Sequence, residues 1–148
     1  MHRFERTTVL GQPPAVAFAA SLNVDFHQES FSDSGEKAIG GVTSGQLKAG
    51  ETVTWRAKHF GLWWTMTSLI SAYEPPTFFV DEQMKGPFKS FRHEHHFTAT
   101  ADGCIMRDIV EMQAPLGPLG WIAQRIIVNR HLEGLIDLRN AELQAALG

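Results

Sequence analysis

A chain of 148 residues, 43% hydrophobic and 20% charged, has the size and balance of one globular domain with its own core, spanning 1–148. Its formal charge of −3 speaks against nucleic-acid binding, and a lone cysteine, Cys104, excludes an internal disulfide framework and suits a reducing, cytoplasmic setting. No run approaches the ~18 apolar residues of a membrane span, and the charged start Met1-His2-Arg3-Phe4-Glu5-Arg6 leads into no signal-like apolar stretch, so membrane insertion is not expected.

Phe4 to Leu10 reads as a first strand, ended by Gly11-Gln12-Pro13-Pro14. Proline is tolerated in a first helical turn, so a short helix follows over Ala15 to Leu22, with a second near Val24 to Ser30. Lys37 to Ser44 is a weak strand softened by Gly40-Gly41. Glu51 to Phe60 alternates well, with Val53, Trp55, Ala57 and His59 on one side. Gly61-Leu62 has the composition of a type II′ turn, which sets His59 opposite Trp64, Ala57 opposite Met66 and Trp55 opposite Ser68. Pro75-Pro76 makes a corner before the strand Thr77 to Lys85. The Gly86-Pro87 turn does not fix that strand's register, so either Phe79, Asp81 and Gln83 or Phe78, Val80, Glu82 and Met84 face inside.

Beyond Gly86-Pro87 lies the most informative strand, Phe91-Arg92-His93-Glu94-His95-His96-Phe97. Alternation puts Phe91, His93, His95 and Phe97 on one face. Two imidazoles among large apolar groups are costly to bury without partners, which points to a cavity rather than a solid core. Asp102-Gly103 reads as a type I′ turn into a last strand, with Met106, Asp108, Val110 and Met112 inward. That turn sets Asp108 opposite Phe97, whereas a turn at Ala101-Asp102 sets it opposite His95. From about Leu119 to Leu147 the pattern is helical, with Leu119, Ile122, Ile126, Leu132, Leu135, Ile136 and Leu143 as an apolar stripe. At ~1.5 Å per residue the helix spans roughly 40 Å, enough to cross a whole sheet. The architecture expected is α+β: a curved antiparallel sheet of about six or seven strands wrapped around a long C-terminal helix.

Several stretches carry a resemblance: Gly41-Val-Thr-Ser-Gly45, Gly50-Glu-Thr-Val-Thr-Trp-Arg-Ala-Lys-His-Phe-Gly61, Phe79-Val-Asp81-Glu-Gln83, Gly86-Pro-Phe88, His93-Glu-His95, Asp108, Pro115-Leu-Gly-Pro-Leu-Gly120 and a final helix with Arg139. Together they resemble the SRPBCC superfamily of START-like, pollen-allergen-like and polyketide cyclase or dehydrase proteins, in a bacterial branch labelled cyclase/dehydrase-like. The resemblance implies the helix-grip fold and a hydrophobic cavity that takes a lipid- or polyketide-like molecule. It says far more about fold than about activity.

The expected ligand-binding set is Trp55, His59, Trp64, Phe79, Asp81, Phe91, His93, His95, Phe97, Met106, Asp108 and Met112, closed by Leu119, Ile122 and Ile126 of the helix. His59, His93, His95 and Asp108 would fix the ligand's polar end. The competing reading is a cyclase- or dehydratase-type enzyme with His95 and Asp108 as acid–base pair; a third is a passive partner in an assembly, with a vestigial cavity. A polar network that merely ties strands together also accounts for any single histidine. His-x-His, with His59 or Asp108 as third ligand, is the pattern a metal would need, but chance alternation produces it too, and no metal or other cofactor is expected. The glycines at 40–45 lack a P-loop lysine, and Trp63 and Trp64 face opposite ways, so neither makes a binding platform. Cys104 reads as inert, and Arg125 and Arg130 with Trp121 as a solvated helix face. The partner expected is a small hydrophobic ligand, bound by a monomer or homodimer.

Overall fold

The computed structural model describes residues 1–113 and 121–148, with backbone alone for 121–125. The strands are β1 (His2–Leu10), β2 (Lys37–Gly41), β3 (Thr52–His59), β4 (Leu62–Glu74), β5 (Phe78–Lys85), β6 (Ser90–Thr100) and β7 (Gly103–Gln113). Between β1 and β2 come the helices α1 (Pro14–Ser21) and α2 (Val24–Ser30), and α3 (Trp121–Leu147) follows the sheet. All seven strands form one antiparallel sheet in the order β1-β7-β6-β5-β4-β3-β2. Sequence-adjacent hairpins build β2 to β7, and β1 returns to pair with β7. The chain must therefore cross from one sheet edge to the other after β1, and α1 and α2 make that crossing.

Local chemistry accounts for the boundaries. Pro14 opens α1 where a missing N–H costs nothing. Asn23 caps α2 by accepting the Phe26 amide at 2.8 Å. β2 stops at Gly41, whose φ of 66° favours glycine and whose position would bring a Cβ 2.2 Å from the Thr52 carbonyl oxygen. Register shifts in β2 and β4 add bulges, which bend the sheet.

Two hairpins differ in register from the sequence reading. The β3–β4 turn is Phe60-Gly61, not Gly61-Leu62: both residues have positive φ, 54° and 74°, and His59 pairs with Leu62, Ala57 with Trp64 and Trp55 with Met66. Left-handed conformation at both positions is the type I′ pattern, whose twist suits a tight hairpin. The β6–β7 turn is Ala101-Asp102, which places Asp108 directly opposite His95. Each pairing moves by two residues, an even step, so the same side chains still face inward. On β5 Phe79 and Asp81 face the cavity, while Phe78 packs against His96 on the other face.

Helix α3 lies along the inner face. Leu132, Ile136 and Leu143 are buried with Arg139 between them, every member three or four residues from the next. Arg6 of β1 anchors the helix by donating to Glu133 at 2.9 Å and to Asp137 at 2.8 Å. The core has two parts. One joins Phe18 of α1 and Leu143 to Leu10, Phe79, Phe97 and Met106; the other joins Leu132 and Ile136 to Phe4, Phe91, Val110 and Met112. No helix among the described residues is long and apolar enough to cross a membrane.

Candidate functional site: a cavity with a polar floor

Between β3–β6, α2 and α3 lies a cavity of about 280 Å³. Its walls are mostly apolar: Val53, Trp55, Ala57, Met66, Ile70, Phe79 and Phe91 from the sheet, Val128, Leu132, Leu135 and Ile136 from α3. Gln83 pins the turn after β5, which carries the cavity-lining Pro87 and Phe88. Its Nε2 donates to the Phe88 carbonyl at 2.8 Å, and the Phe88 amide donates back to its Oε1 at 3.2 Å.

The polar floor follows from strand register. Asp81 pairs across with His93, and His95 lies between Phe79 and Asp108. The hydrogen bonds run diagonally: His95 Nε2 to Asp81 Oδ2 at 2.5 Å, and His93 Nε2 to Asp108 Oδ1 at 2.7 Å. The two imidazoles stack with centroids 3.7 Å apart, and Phe79 stacks on the far side of His95 at 4.0 Å. Helix α3 completes the group. Arg139 Nη2 donates to Asp108 Oδ1 at 2.5 Å, Asn140 Nδ2 donates to Asp108 Oδ2 at 2.9 Å, and Arg139 Nε donates to Asn140 Oδ1 at 3.0 Å. A buried carboxylate with several donors and a matched guanidinium is the condition under which a charge survives in a core.

Electrostatics fix the protonation states. Burial works against ionising Asp108, but Arg139 and the His93 hydrogen bond outweigh it and hold the carboxyl well below the usual range. Burial likewise opposes Asp81, and the His95 hydrogen bond with the neighbouring positive groups still lowers it. Burial, reinforced by repulsion from His93 and opposed by Asp81, pushes His95 down to about 3. His95 is therefore neutral at pH 7: Nε2–H donates to Asp81, and Nδ1 stands 3.5 Å from Arg139 Nη1, where it accepts.

The structure sorts the expected residues. Trp55, His59, Trp64, Phe79, Asp81, Phe91, His93 and His95 line the cavity. Phe97 and Met106 share the inward face but not the cavity, because α1 covers that end of the sheet; Phe18 meets Phe97 edge-on at 5.7 Å. Met112 is packed under Leu132 and Ile136. Asp108 is fully enclosed behind the histidines, tied to Arg139 and Asn140, and reaches no lumen. Its expected acid–base partnership with His95 is replaced by the crossed pairs, since His95 Nδ1 and Asp108 Oδ1 are 3.5 Å apart and both face Arg139. Ile126 is 49% exposed and does not close the cavity: six residues back from Leu132, it lies about 120° round the helix from the buried stripe. Leu119 and Ile122 fall outside the described residues and side chains.

His59 is not part of the floor. It sits at the mouth, where its Nδ1 is 2.9 Å from Nε2 of His131 on α3, and the exposed Phe60 and Trp64 flank it. Burial lowers both imidazoles, and their mutual repulsion lowers His59 further. Arg139, Asn140 and His131 were not among the residues drawn from the sequence for this site. A signal existed for Arg139, which occupies an apolar position of the stripe, three residues after Ile136.

Asp81, His93 and His95 bring one donor atom each within 4.8 Å of one another, a two-nitrogen, one-oxygen set. In the arrangement found, Asp81 and His95 bond across the space between them. Ligation through His95 Nε2 would also turn an Nδ1–H toward the Arg139 guanidinium. In this arrangement the three side chains form a hydrogen-bonded floor.

No family model and no curated protein matches the chain. Solved structures do match along nearly its whole length. TTHA0849 from Thermus thermophilus superposes with a TM-score of 0.71 at 12% identity, covering 99% of this chain and 98% of that one. The chain has the helix-grip fold. Ara h 8.0201 shares it with a TM-score of 0.64 at 16% identity, covering 97% and 98%. The di-domain ARO/CYC StfQ from the steffimycin biosynthetic pathway gives 0.75 at 14% identity, covering 98% of this chain and 50% of that one. At 12–16% identity these likenesses are of the fold alone.

Proposed function

We propose that this helix-grip domain binds one small, mostly apolar molecule whose polar end rests on the Asp81–His95–His93 floor. The observation that carries the reading is the cavity itself: apolar walls from sheet and helix around one convergent polar group. At an interior packing density of ~0.74, its volume takes roughly 12–17 non-hydrogen atoms, aliphatic skeletons at the low end and compact aromatic ones at the high end. The buried polar cluster alone does not require a cavity, since Arg139, Asn140, Asp108 and His93 satisfy one another.

A second reading rests on the His95–Asp81 hydrogen bond beside the lumen. In a cyclase- or dehydratase-type reaction, the Asp81 carboxylate would take a proton from the substrate, and neutral His95 would hold that carboxylate in place. The likeness to an ARO/CYC protein is in keeping with this chemistry.

The test uses N-phenyl-1-naphthylamine, a neutral apolar fluorophore. Wild-type protein is expected to bind it saturably, one per chain, with a Kd of about 1–100 µM for a ligand of that size. Ala57→Phe and Ser68→Leu put bulk on the inner wall and are each expected to weaken binding at least about tenfold. Absence of saturable binding, or equal affinity in both filled variants, would count against the cavity as a binding site.

A further inference from the structure

We infer that the cavity selects ligands whose polar end donates a hydrogen bond, a neutral hydroxyl or an amine, and rejects carboxylates. This rests on the binding reading above and names the chemical class that the same cavity takes.

Of the floor's side chains, Asp81 alone keeps appreciable exposure, 20% against 5% for His93, 3% for His95 and 7% for Arg139. It is thus the group a ligand meets first. Its approaches to both imidazoles run through Oδ2: 2.5 Å to His95 Nε2 and 3.8 Å to His93 Nδ1. Among the described residues, no hydrogen bond uses its Oδ1. An ionised carboxylate can only accept, so the open position calls for a donor.

The guanidinium on the floor is already engaged. Arg139 spends Nη2 on Asp108, Nε on Asn140, and sets Nη1 against His95. Asp108 bonds directly to it, whereas Asp81 bonds to neutral His95 and feels the charges of His93 and Arg139 without a hydrogen bond to either. A ligand carboxylate placed here would set two anions side by side within apolar walls, where little water screens them. A hydroxyl or ammonium group meets the opposite situation: Oδ1 accepts from it, and for the ammonium the charges attract.

A matched series reads this out: 2-naphthol, 2-naphthylmethylamine and 2-naphthoate as competitors of N-phenyl-1-naphthylamine at pH 7, with EDTA present. The alcohol and the amine are expected to bind at least about tenfold more tightly than the carboxylate. Asp81→Asn removes the anion and should shrink that gap to less than about threefold, chiefly by admitting 2-naphthoate. The comparison in wild-type protein stands whether or not the variant folds. Naphthoate binding as tightly as naphthol in wild-type protein overturns the inference while leaving the binding reading intact, and so does failure of all three to displace a bound probe. A probe that does not bind at all strikes the binding reading itself.

Discussion

Asp108→Asn is expected to cost the fold about 3–5 kcal/mol, read as a lower urea midpoint at unchanged slope. The asparagine matches the shape but not the charge. Asp108 is fully enclosed and answers Arg139 at 2.5 Å, His93 at 2.7 Å and Asn140 at 2.9 Å. Without the carboxylate, the guanidinium keeps its charge in an apolar setting, and a new amide N–H faces donors instead of an acceptor. The exposed Arg92–Glu94 pair on the outer face is the contrast: Arg92→Gln should change stability by no more than about 1 kcal/mol. A loss below about 1 kcal/mol for Asp108→Asn would mean that Arg139 finds water or another partner, and that the floor is not a tightly coupled unit.

Stability should fall in two stages as the solution is acidified. His95 titrates near 6.5 when unfolded and at about 3 when folded. Between those values the unfolded chain holds the extra proton, so stability declines as pH drops below about 6.5, by up to about 1.4 kcal/mol per pH unit. His59 and His131 are also lowered and add to the same slope. The carboxylates act further down. Asp108 and Asp81 titrate near 3.8 when unfolded and lower when folded, so their stabilisation is complete above that range and is lost below it. Urea midpoints should therefore already descend between about pH 6.5 and pH 5, above the range in which the carboxylates take up protons. His95→Gln should start lower and descend less steeply. A wild-type midpoint that stays level down to pH 4.5 would show that His95 accepts its proton in the folded protein.

The inward faces of the strands were legible in the sequence because alternation survives an error of register. The turns at Phe60-Gly61 and Ala101-Asp102 each shift the pairing by two residues, and Trp55, His93, His95 and Asp108 stay inside. Cavity membership was less legible. It depends on which helix covers which part of the sheet, a matter of tertiary packing that period-two patterns do not encode. Phe97 and Met106 alternate as Phe91 and Trp55 do, yet α1 seals the first pair into the core and leaves the second beside the lumen. His59 shares the inner face with Trp55 but sits next to the turn, which puts it at the mouth facing His131. Arg139 was seen only as part of a family-like helix. Its partner, Asp108, lies 31 positions away, beyond the reach of local spacing rules.

A ligand that enters between sheet and helix and rests on the Asp81 floor must perturb both walls of the cavity. Amide NMR of the uniformly labelled protein, titrated with N-phenyl-1-naphthylamine, tests it most directly. Concerted shifts are expected at inner-wall positions such as Val53, Ala57, Ser68, Ile70 and Asp81, together with Leu132 and Ile136 across the cavity. Shifts confined to the exposed Trp63 and Met84, with the inner wall unmoved at saturation, would contradict it.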